Sequence, residues 1–329
     1  MCAMASGDEE ACIIPAHTYV SARSSGPETR KMVDLFSPAS KELVWYITGT
    51  SSGMGKRLVP ILLSRGDKVI ATARSVDKLQ DLPKSANLRL QQLDVTDGAG
   101  VIQRKIDEAA SWFGRIDVVV NNAGIGSKAF VEEGGSEQFR RQYNVNVFGV
   151  LDVTTAVLPH MRARRTGTVV LLGSRTSWRS EVNMGGLYGS SKAAVRVFGE
   201  TLAVEVAEFN IRVLIVEPGA FRTESIFAQP MYAGNDFADY DKQRAVAKKR
   251  FDEIDKVLTG DPVKAMNILA DVVRNEGRAK GKPWPLYLPL GQEAEDAILA
   301  KTKLLERTLD EWREIIRDTK LDNPENADS

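Results

Sequence analysis

The fold is decided by residues 43–65, LVWYITGTSSGMGKRLVPILLSR. Leu43–Thr48 is a short apolar run with β-branched and aromatic side chains, which predicts a buried strand. The glycine-rich turn at 49–55 follows at once, and Lys56–Arg65 then fits an amphipathic helix. The turn is spaced G-x-x-x-G-x-G rather than G-x-G-x-x-G, but a tight turn between a strand and a helix still brings backbone N–H groups close to a phosphate. The segment therefore predicts the start of a nucleotide-binding α/β fold.

Apolar runs and helical stretches alternate along the rest of the chain. The further strands are predicted at Lys68–Ala73, Leu88–Val95, Ile116–Val120, Thr168–Leu172, Ile211–Glu217 and Trp284–Leu288. The further helical stretches are predicted at Gly100–Trp112, Ser136–Arg165, Gly186–Phe209, Asp241–Val257 and Glu293–Arg317, with one more opened by Asp261 and Pro262. Because this alternation is typical of parallel sheets covered on both sides, we predict an α/β, Rossmann-type doubly wound parallel sheet of about seven strands with helices on both faces.

The chain is predicted to have three parts. Residues 1–40 are rich in small and polar side chains and fit a disordered leader. Residues 41–292 contain the predicted strands and form a catalytic domain, and residues 293–329 form a C-terminal helix and tail. The aromatic-rich segment at about 224–260 fits either a lid over a pocket or a packed surface loop.

The composition argues against several classes of protein. Lys plus Arg equals Asp plus Glu at 44 each, so no excess of positive charge indicates a nucleic-acid partner. Two cysteines, both in the leader, and two distant histidines predict neither a disulfide framework nor a metal site. No run reaches the ~18 apolar residues of a membrane span, and the leader lacks the features of a secretory signal. We therefore expect a cytoplasmic protein without metal, nucleic acid or integral membrane segment.

A second informative stretch is Tyr188-Gly-Ser-Ser-Lys192. Because Tyr188 and Lys192 are four residues apart, both side chains leave the same face of a helix. A phenol ionises near pH ~10, and moving its pKa to about 7 requires roughly 4 kcal/mol, which a lysine together with a second fixed cation can supply. The pair indicates a proton donor for a carbonyl or an acceptor for an alcohol. Taken alone, however, a Tyr-x-x-x-Lys spacing is common by chance on an ordinary helix face.

The end of the second predicted strand indicates which nucleotide is bound. In dinucleotide folds an acid at this point binds the ribose 2′-hydroxyl, whereas an arginine accommodates a 2′-phosphate. The strand here ends in Ala73-Arg74, with no acid. The sequence therefore favours NADP over NAD, with a solvated surface arginine as the alternative.

Six short motifs follow one another along the chain: Thr48-Gly49-x-x-x-Gly53-x-Gly55, Asn121-Asn122-Ala123-Gly124, Asn146 within N-V-N-V-F-G, Ser174, Tyr188-x-x-x-Lys192 and Pro218-Gly219-x-x-x-Thr223. In this order they resemble the short-chain dehydrogenase/reductase family, in its single-domain branch, over about residues 43–291. The resemblance implies that Tyr188 is the general acid/base and that Lys192 binds the nicotinamide ribose and lowers the pKa of the tyrosine. Ser174 would hold the substrate oxygen, and Asn146 would support a water that links Lys192 to solvent. The implied cofactor-binding residues are Gly49, Ser52, Gly53 and Met54 at the pyrophosphate, Arg74 at the 2′-phosphate, Asp94 and Val95 at the adenine, Asn122 and Gly124 at the adenosine ribose, and Pro218 and Thr223 at the carboxamide.

The serine departs from the family pattern, in which it lies thirteen residues before the tyrosine. That position is Arg175 here, so we infer a one-residue insertion in the following loop, with Ser174 as the catalytic serine and Ser177 as the reserve candidate. The loop is unusually charged for the wall of a pocket. Two interpretations of this loop stay open: Trp178 contacts the substrate, or the loop folds back on the protein surface.

The resemblance implies an NADP(H)-dependent oxidoreductase that reduces a ketone or aldehyde, or oxidises the matching secondary alcohol. The sequence is also similar to NADP-dependent members related to 17β-hydroxysteroid dehydrogenases and to their fungal relatives, including reductases of secondary metabolism. A small and hydrophobic substrate and a homodimer or homotetramer are expected on the same ground. Two other functions stay open, a catalytically silent NADP-binding sensor or scaffold and an isomerase or cyclase that uses the same pocket.

Overall fold

Seven parallel strands form one sheet in the part of the chain that the structure, a computed structural model, describes: residues 42–224, 229–253 and 258–319. The strands are β1 (Val44–Ile47), β2 (Lys68–Ala73), β3 (Leu88–Gln92), β4 (Val118–Asn121), β5 (Gly167–Leu172), β6 (Ile211–Pro218) and β7 (Tyr287–Leu290). They lie in the order β3-β2-β1-β4-β5-β6-β7, and every neighbouring pair is parallel. The predicted Rossmann-type sheet is confirmed.

Helices connect the strands and cover both faces of the sheet. They are α1 (Gly53–Ser64), α2 (Ala99–Phe113), α3 (Val131–Tyr143), α4 (Gly149–Arg164), α5 (Gly186–Glu205), α6 (Asp241–Asp252), α7 (Pro262–Arg274) and α8 (Gln292–Arg317). As predicted, Asp261 is the N-cap of α7: its carboxylate accepts from the backbone N–H groups of Val263 (2.8 Å) and Lys264 (3.3 Å).

The core has two halves because successive side chains of a strand point to opposite faces. On β1, Trp45 and Ile47 pack in one half with buried side chains of α1 and α7. Val44 and Tyr46 point the other way and pack in the second half with α2, α4 and α5. All four side chains are fully buried, which explains why the strand reads as one continuous apolar run.

The strand order reverses direction at β1, whose neighbours are β2 on one side and β4 on the other. In open α/β sheets, a crevice for ligands forms at this point, outside the carboxyl ends of the strands. The glycine-rich turn follows β1 here, and the Asn121-Asn122-Ala123-Gly124 motif follows β4. The topology therefore brings these two motifs to the same edge of the sheet.

Several boundaries differ from the sequence-based expectation. The helical stretch predicted over 136–165 begins earlier, at Val131, and consists of α3 and α4 joined by a π-helical turn at Asn144–Phe148. Gly135, with φ of +51°, breaks the geometry of α3. The last strand lies two or three residues later than predicted. Trp284 precedes it and contacts the sheet through its indole N–H, which donates to the Val213 carbonyl (2.9 Å).

The described residues belong to one compact unit, residues 41–329. The predicted disordered leader at 1–40 lies outside the described residues, and so do parts of the 224–260 segment and of the C-terminal tail. The three-part division of the chain therefore stays a prediction. No described helix is both long and apolar enough to cross a membrane, and the cytoplasmic location likewise stays a prediction.

Candidate active site

The glycine-rich turn closes tightly against the loop that follows β4. Gly49 has φ of +70°, and a Cβ added there would lie 2.8 Å from the Cα of Ala123. A Cβ on Gly55 would lie 2.5 Å from Nδ2 of Asn122. Neither position can carry a side chain without moving its neighbour. The turn therefore exposes bare backbone at the start of α1, which is the feature that a bound pyrophosphate requires.

Asn122 and Thr48 hold this turn in place. Asn122 donates through Nδ2 to the carbonyl oxygens of Thr48 (2.8 Å) and Gly49 (2.9 Å). Thr48 Oγ1 in turn accepts from the backbone N–H groups of Asn122 (3.0 Å) and Ala123 (2.9 Å). Thr48 belongs to the first motif of the sequence but is not among the predicted site residues. Because Thr48 directly follows a buried strand, its hydroxyl is expected to bond to the neighbouring backbone rather than to solvent.

A cavity of about 510 Å³ runs along the carboxyl edge of the sheet. Most of the predicted site residues lie in its wall, namely Gly49, Ser52, Gly53, Met54, Arg74, Asp94, Val95, Asn122, Gly124, Ser174, Tyr188, Lys192, Pro218 and Thr223. Asn146 is the predicted residue that the wall lacks, since it is fully buried behind the wall. The six motifs of the sequence thus meet around one space.

Tyr188 lies in the first turn of α5, and Ser174 lies in the same cavity wall, where its side chain interacts with the phenol. Burial raises the pKa of Tyr188 to about 12, and the interaction with Ser174 opposes that rise. The phenol is therefore protonated at neutral pH. Ser177 is turned elsewhere, because its hydroxyl donates to Oε1 of Glu217 (2.8 Å). Of the two candidate serines, Ser174 is the one that contacts the tyrosine.

Lys192 is buried one turn further along α5, with Nζ 5.8 Å from the centre of the Tyr188 ring. Its ammonium donates to the Leu172 carbonyl (2.6 Å) at the end of β5, and burial lowers its pKa to about 8. Since the pKa of Tyr188 is nevertheless raised, the nearby lysine does not offset the burial of the phenol. Lowering that pKa, as the resemblance implies, therefore requires a further positive charge.

Asn146 lies in the π-helical turn, and its amide fixes the loop after β4. Its Oδ1 accepts from the backbone N–H of Ile125 (2.9 Å), and its Nδ2 donates to the Ile125 carbonyl (3.0 Å) and to Ser191 Oγ (3.1 Å). A Cβ on Gly124 would lie 3.3 Å from Asn146 Oδ1 and 3.7 Å from Lys192 Nζ. Asn146 and Lys192 therefore both lie next to Gly124, and π-turns of this kind are frequent at functional sites.

The other end of the cavity fits the adenosine half of a dinucleotide. Arg74 directly follows β2 and has an exposed side chain that forms no ion pair within the described residues. Asp94 accepts through Oδ1 from the backbone N–H (2.9 Å) and the hydroxyl (2.7 Å) of Thr96, which leaves its second oxygen for a ligand. Val95 packs against Gly149, where a Cβ would lie 2.8 Å from the valine. These contacts and the bare glycine turn fit an NADP-type nucleotide.

Two carboxylates near the cavity were not singled out from the sequence. Glu224 accepts from the backbone N–H of Gly53 (2.9 Å) and from the guanidinium of Arg57 (2.6 and 3.0 Å). Its carboxylate thus lies at the N-terminus of α1, and the hydrogen bond from Arg57 lowers its pKa to about 2.

Glu217 is fully buried at the end of β6 and accepts from Ser177 and from the indole of Trp178. Trp178 points to Glu217 and is absent from the described wall of the cavity, which favours the folded-back loop over a substrate contact.

The strand order, the glycine turn and the Tyr188/Ser174/Lys192 arrangement together define a dinucleotide-dependent oxidoreductase fold. The model of the family described as short chain dehydrogenase matches residues 43–229, and the chain belongs to this family. The predicted family is therefore confirmed.

Relatives with known names or structures agree with this assignment. Oxidoreductase BOA17 of Botryotinia fuckeliana is 33% identical over 279 residues, which is 83% of this chain and 97% of the relative. A short-chain dehydrogenase from Streptomyces avermitilis is 32% identical in its crystal structure, with a TM-score of 0.75 over 85% of this chain and 100% of the other. ElxO with NADP bound is 25% identical, with a TM-score of 0.60 over 76% of this chain and 97% of the other. The protein is thus an oxidoreductase of the short-chain dehydrogenase family.

Proposed function

We propose that the protein is an NADP(H)-dependent oxidoreductase that reduces a ketone or aldehyde, or oxidises the matching secondary alcohol, with Tyr188 as the general acid/base. The observation that carries the proposal is that Tyr188, Ser174 and Lys192 lie together in the wall of a cavity that also fits a dinucleotide. A phenol that stays protonated at neutral pH can donate its proton to a carbonyl oxygen held between these two hydroxyl groups. Reduction is therefore the direction that this arrangement favours.

Lys192 and Asn146 support the tyrosine. The ammonium of Lys192 lies one helical turn from the phenol and is held by the Leu172 carbonyl, so its positive charge stabilises the phenolate that remains after proton transfer. Asn146 keeps the loop after β4 against this lysine through its bonds to Ile125. On this account Lys192 returns a proton to Tyr188, and the water that the resemblance implies beside Asn146 links the lysine to solvent.

NADP(H) is the cofactor that the cavity wall suits best. The backbone of the glycine-rich turn at 49–55 would hold the pyrophosphate once the Glu224 carboxylate leaves the N–H of Gly53. Arg74 would neutralise a 2′-phosphate, since its guanidinium has no described carboxylate as a partner. When bound, the reduced cofactor supplies the hydride. ElxO, whose structure contains NADP, supports this choice by its likeness to the chain. Pro218 and Thr223 would line the nicotinamide end.

The test is oxidation of NADPH, compared with NADH, in the presence of a panel of ketones that includes aromatic, steroidal and acidic compounds. We expect turnover with NADPH on at least one ketone and its loss in Tyr188→Phe. Tyr143→Phe is the matched control, because this tyrosine packs near Phe139 and lies outside the described cavity wall. Turnover by Tyr188→Phe at the wild-type rate would reject the proposal. Product formed without net consumption of NADPH would instead identify an isomerase or cyclase.

We also propose that the protein is a homodimer or homotetramer that pairs through its long helices. Large apolar side chains are exposed on this surface: Phe148 in the π-turn (52%), Leu151 on α4 (38%), and Val197 (50%) and Val204 (55%) on α5. Apolar side chains gathered on neighbouring helices are typical of a subunit interface. Sedimentation equilibrium of the wild type and of Val204→Glu tests it, and a monomeric wild type would reject it. A role in secondary metabolism stays a prediction.

A further inference from the structure

The cavity wall beside Tyr188 carries an unusual number of positive charges. Arg175 follows Ser174 directly, and Arg179 lies one helical turn later, because its backbone N–H donates to the Arg175 carbonyl (3.0 Å). Arg250 reaches the same wall from α6. Arg175 is half-buried, and its pKa is lowered first by burial and further by the positive charges of Arg250 and Arg179. We call these three residues the arginine cluster.

Carboxylates do not balance the arginine cluster within the described part of the chain. None of its three guanidinium groups forms an ion pair with a described acid, and Asp94 is the only acid among the described residues of the cavity wall. The nearest compensation is indirect. Glu293 acts on Arg175 from beyond ion-pair distance, and Glu181, which Arg179 also influences, is already bonded to Lys301 (3.1 Å).

Two arginines elsewhere in the chain, Arg244 and Arg65, are paired with acids. Arg244, on the same helix α6 as Arg250, pairs with Glu133 (2.6 Å), Asp236 (3.5 Å) and Asp241 (3.6 Å). Arg65, which directly follows α1, likewise pairs with two acids. Like charges gathered without counterions repel one another, most strongly where one of them is partly removed from water. The counterion of the arginine cluster is therefore expected to come from a ligand.

The position of the cluster separates it from the 2′-phosphate site. Arg175 follows β5, and Arg74 follows β2, with β1 and β4 between these two strands. Three strand spacings amount to roughly 14 Å across the sheet. Arg175 is adjacent in sequence to the serine that contacts Tyr188, so the cluster borders the place where the carbonyl is reduced.

We propose that the substrate is an acid, a keto compound whose carboxylate or phosphate group is bound by Arg175, Arg179 and Arg250 while its carbonyl faces Tyr188. Arginine suits such a group because its planar fork binds two anionic oxygens at once. Nearby apolar wall residues, among them Met184 and Phe251, would contact the carbon skeleton. This inference rests on the proposed function, and it replaces the neutral hydrophobic ketone expected from the sequence by one with an acidic end.

The test measures binding rather than turnover, so that it succeeds or fails independently of the reaction. The full-length protein, saturated with NADP⁺, is titrated calorimetrically with three matched pairs of probes. They are 4-acetylbenzoate and its methyl ester, 5-oxohexanoate and its methyl ester, and dihydroxyacetone phosphate and dihydroxyacetone. The first two pairs test for a carboxylate and the third tests for a phosphate.

We expect the acid of at least one pair to bind about tenfold more tightly than its neutral partner, because a charged hydrogen bond to a guanidinium is worth about that factor. Arg175→Gln and, separately, the exposed Arg250→Gln should remove this preference and leave the affinity for the neutral partner and for NADPH nearly unchanged. Lys249→Gln is the control, since it removes one positive charge from α6 at a residue outside the described cavity wall.

Two results would overturn the inference. One is equal binding of acid and neutral partner in every pair. The other is a loss of NADPH affinity in Arg175→Gln or Arg250→Gln as large as the loss for the acid, since the cluster would then serve a phosphate of the cofactor. If the acid preference persists while Tyr188→Phe reduces ketones at the wild-type rate, the proposed reaction fails and the anion site stands.

Discussion

Replacing Glu217 by glutamine is expected to change how the stability of the protein depends on pH. Glu217 is fully buried at the end of β6, and burial raises the pKa of its carboxyl group from 4.5 to about 7. The hydrogen bond from Ser177 and the charge of Arg196 oppose the rise, whereas Glu200 adds to it. The folded protein therefore retains a proton between pH 4.5 and about 7 that the unfolded chain releases.

The sign and size of the effect follow from this difference in bound protons. Because the folded state binds the proton more tightly, the contribution of Glu217 to folding stability is fully present below pH 4.5 and is lost as the pH rises through about 7. The loss amounts to roughly 3 kcal/mol, at 1.36 kcal/mol for each pKa unit. Glutamine stays neutral at every pH and can still accept from Trp178 and donate to Ser177. Glu217→Gln should therefore match the wild type near pH 5 and exceed its stability by up to about 3 kcal/mol at pH 8.

The assay is urea unfolding of both proteins at pH 5, 6, 7 and 8, with the difference in free energy of unfolding plotted against pH. Ser177→Ala is a useful companion, because it removes a hydrogen bond that lowers the pKa of Glu217 and should move the loss of stability to higher pH. Parallel curves for the wild type and Glu217→Gln from pH 5 to 8 would refute the reasoning.

Three further changes test the cofactor site and the fold. Glu224→Gln removes a negative charge from the N–H of Gly53, so NADPH should bind up to about fivefold more tightly in a calorimetric titration, and unchanged or weaker binding would contradict this role. Arg74→Ala should weaken NADPH binding at least about tenfold while NADH binding changes little, and equal losses for both nucleotides would exclude a 2′-phosphate contact. Asp261→Ala removes the N-cap of α7 and should lower the free energy of unfolding by about 1 kcal/mol in urea, with no effect on NADPH affinity.

The fold could be predicted because its strands are buried on both faces. Val44–Ile47 has no exposed side, so it appears in the sequence as an uninterrupted apolar run, and the glycines that follow mark the turn. The pair Tyr188 and Lys192 was equally visible, since it lies on one helix face at a fixed spacing. The predicted helix boundaries were less accurate where the backbone geometry changes without a clear sequence signal, as in the π-turn at Asn144–Phe148.

The charged surroundings of the site could not be predicted, because they depend on contacts between distant parts of the chain. Glu224 accepts from the backbone N–H of Gly53, which lies 171 residues earlier in the chain. Glu217 accepts from the hydroxyl of Ser177, which lies 40 residues earlier. The loop around Arg175 was visibly charged in the sequence. Whether that charge faces solvent or a cavity depends on Arg250, which α6 brings to the same wall.

The central claim is that Tyr188 donates the proton in a reduction that consumes NADPH. The most direct test counts NADPH oxidised and alcohol formed by the wild type and by Tyr188→Phe, at matched saturation with the cofactor. We expect one alcohol for each NADPH, and a fall in kcat of at least about 100-fold in the variant, with the Kd for NADPH nearly unchanged. A variant that forms alcohol at the wild-type rate would contradict the claim, and so would product that forms without loss of NADPH.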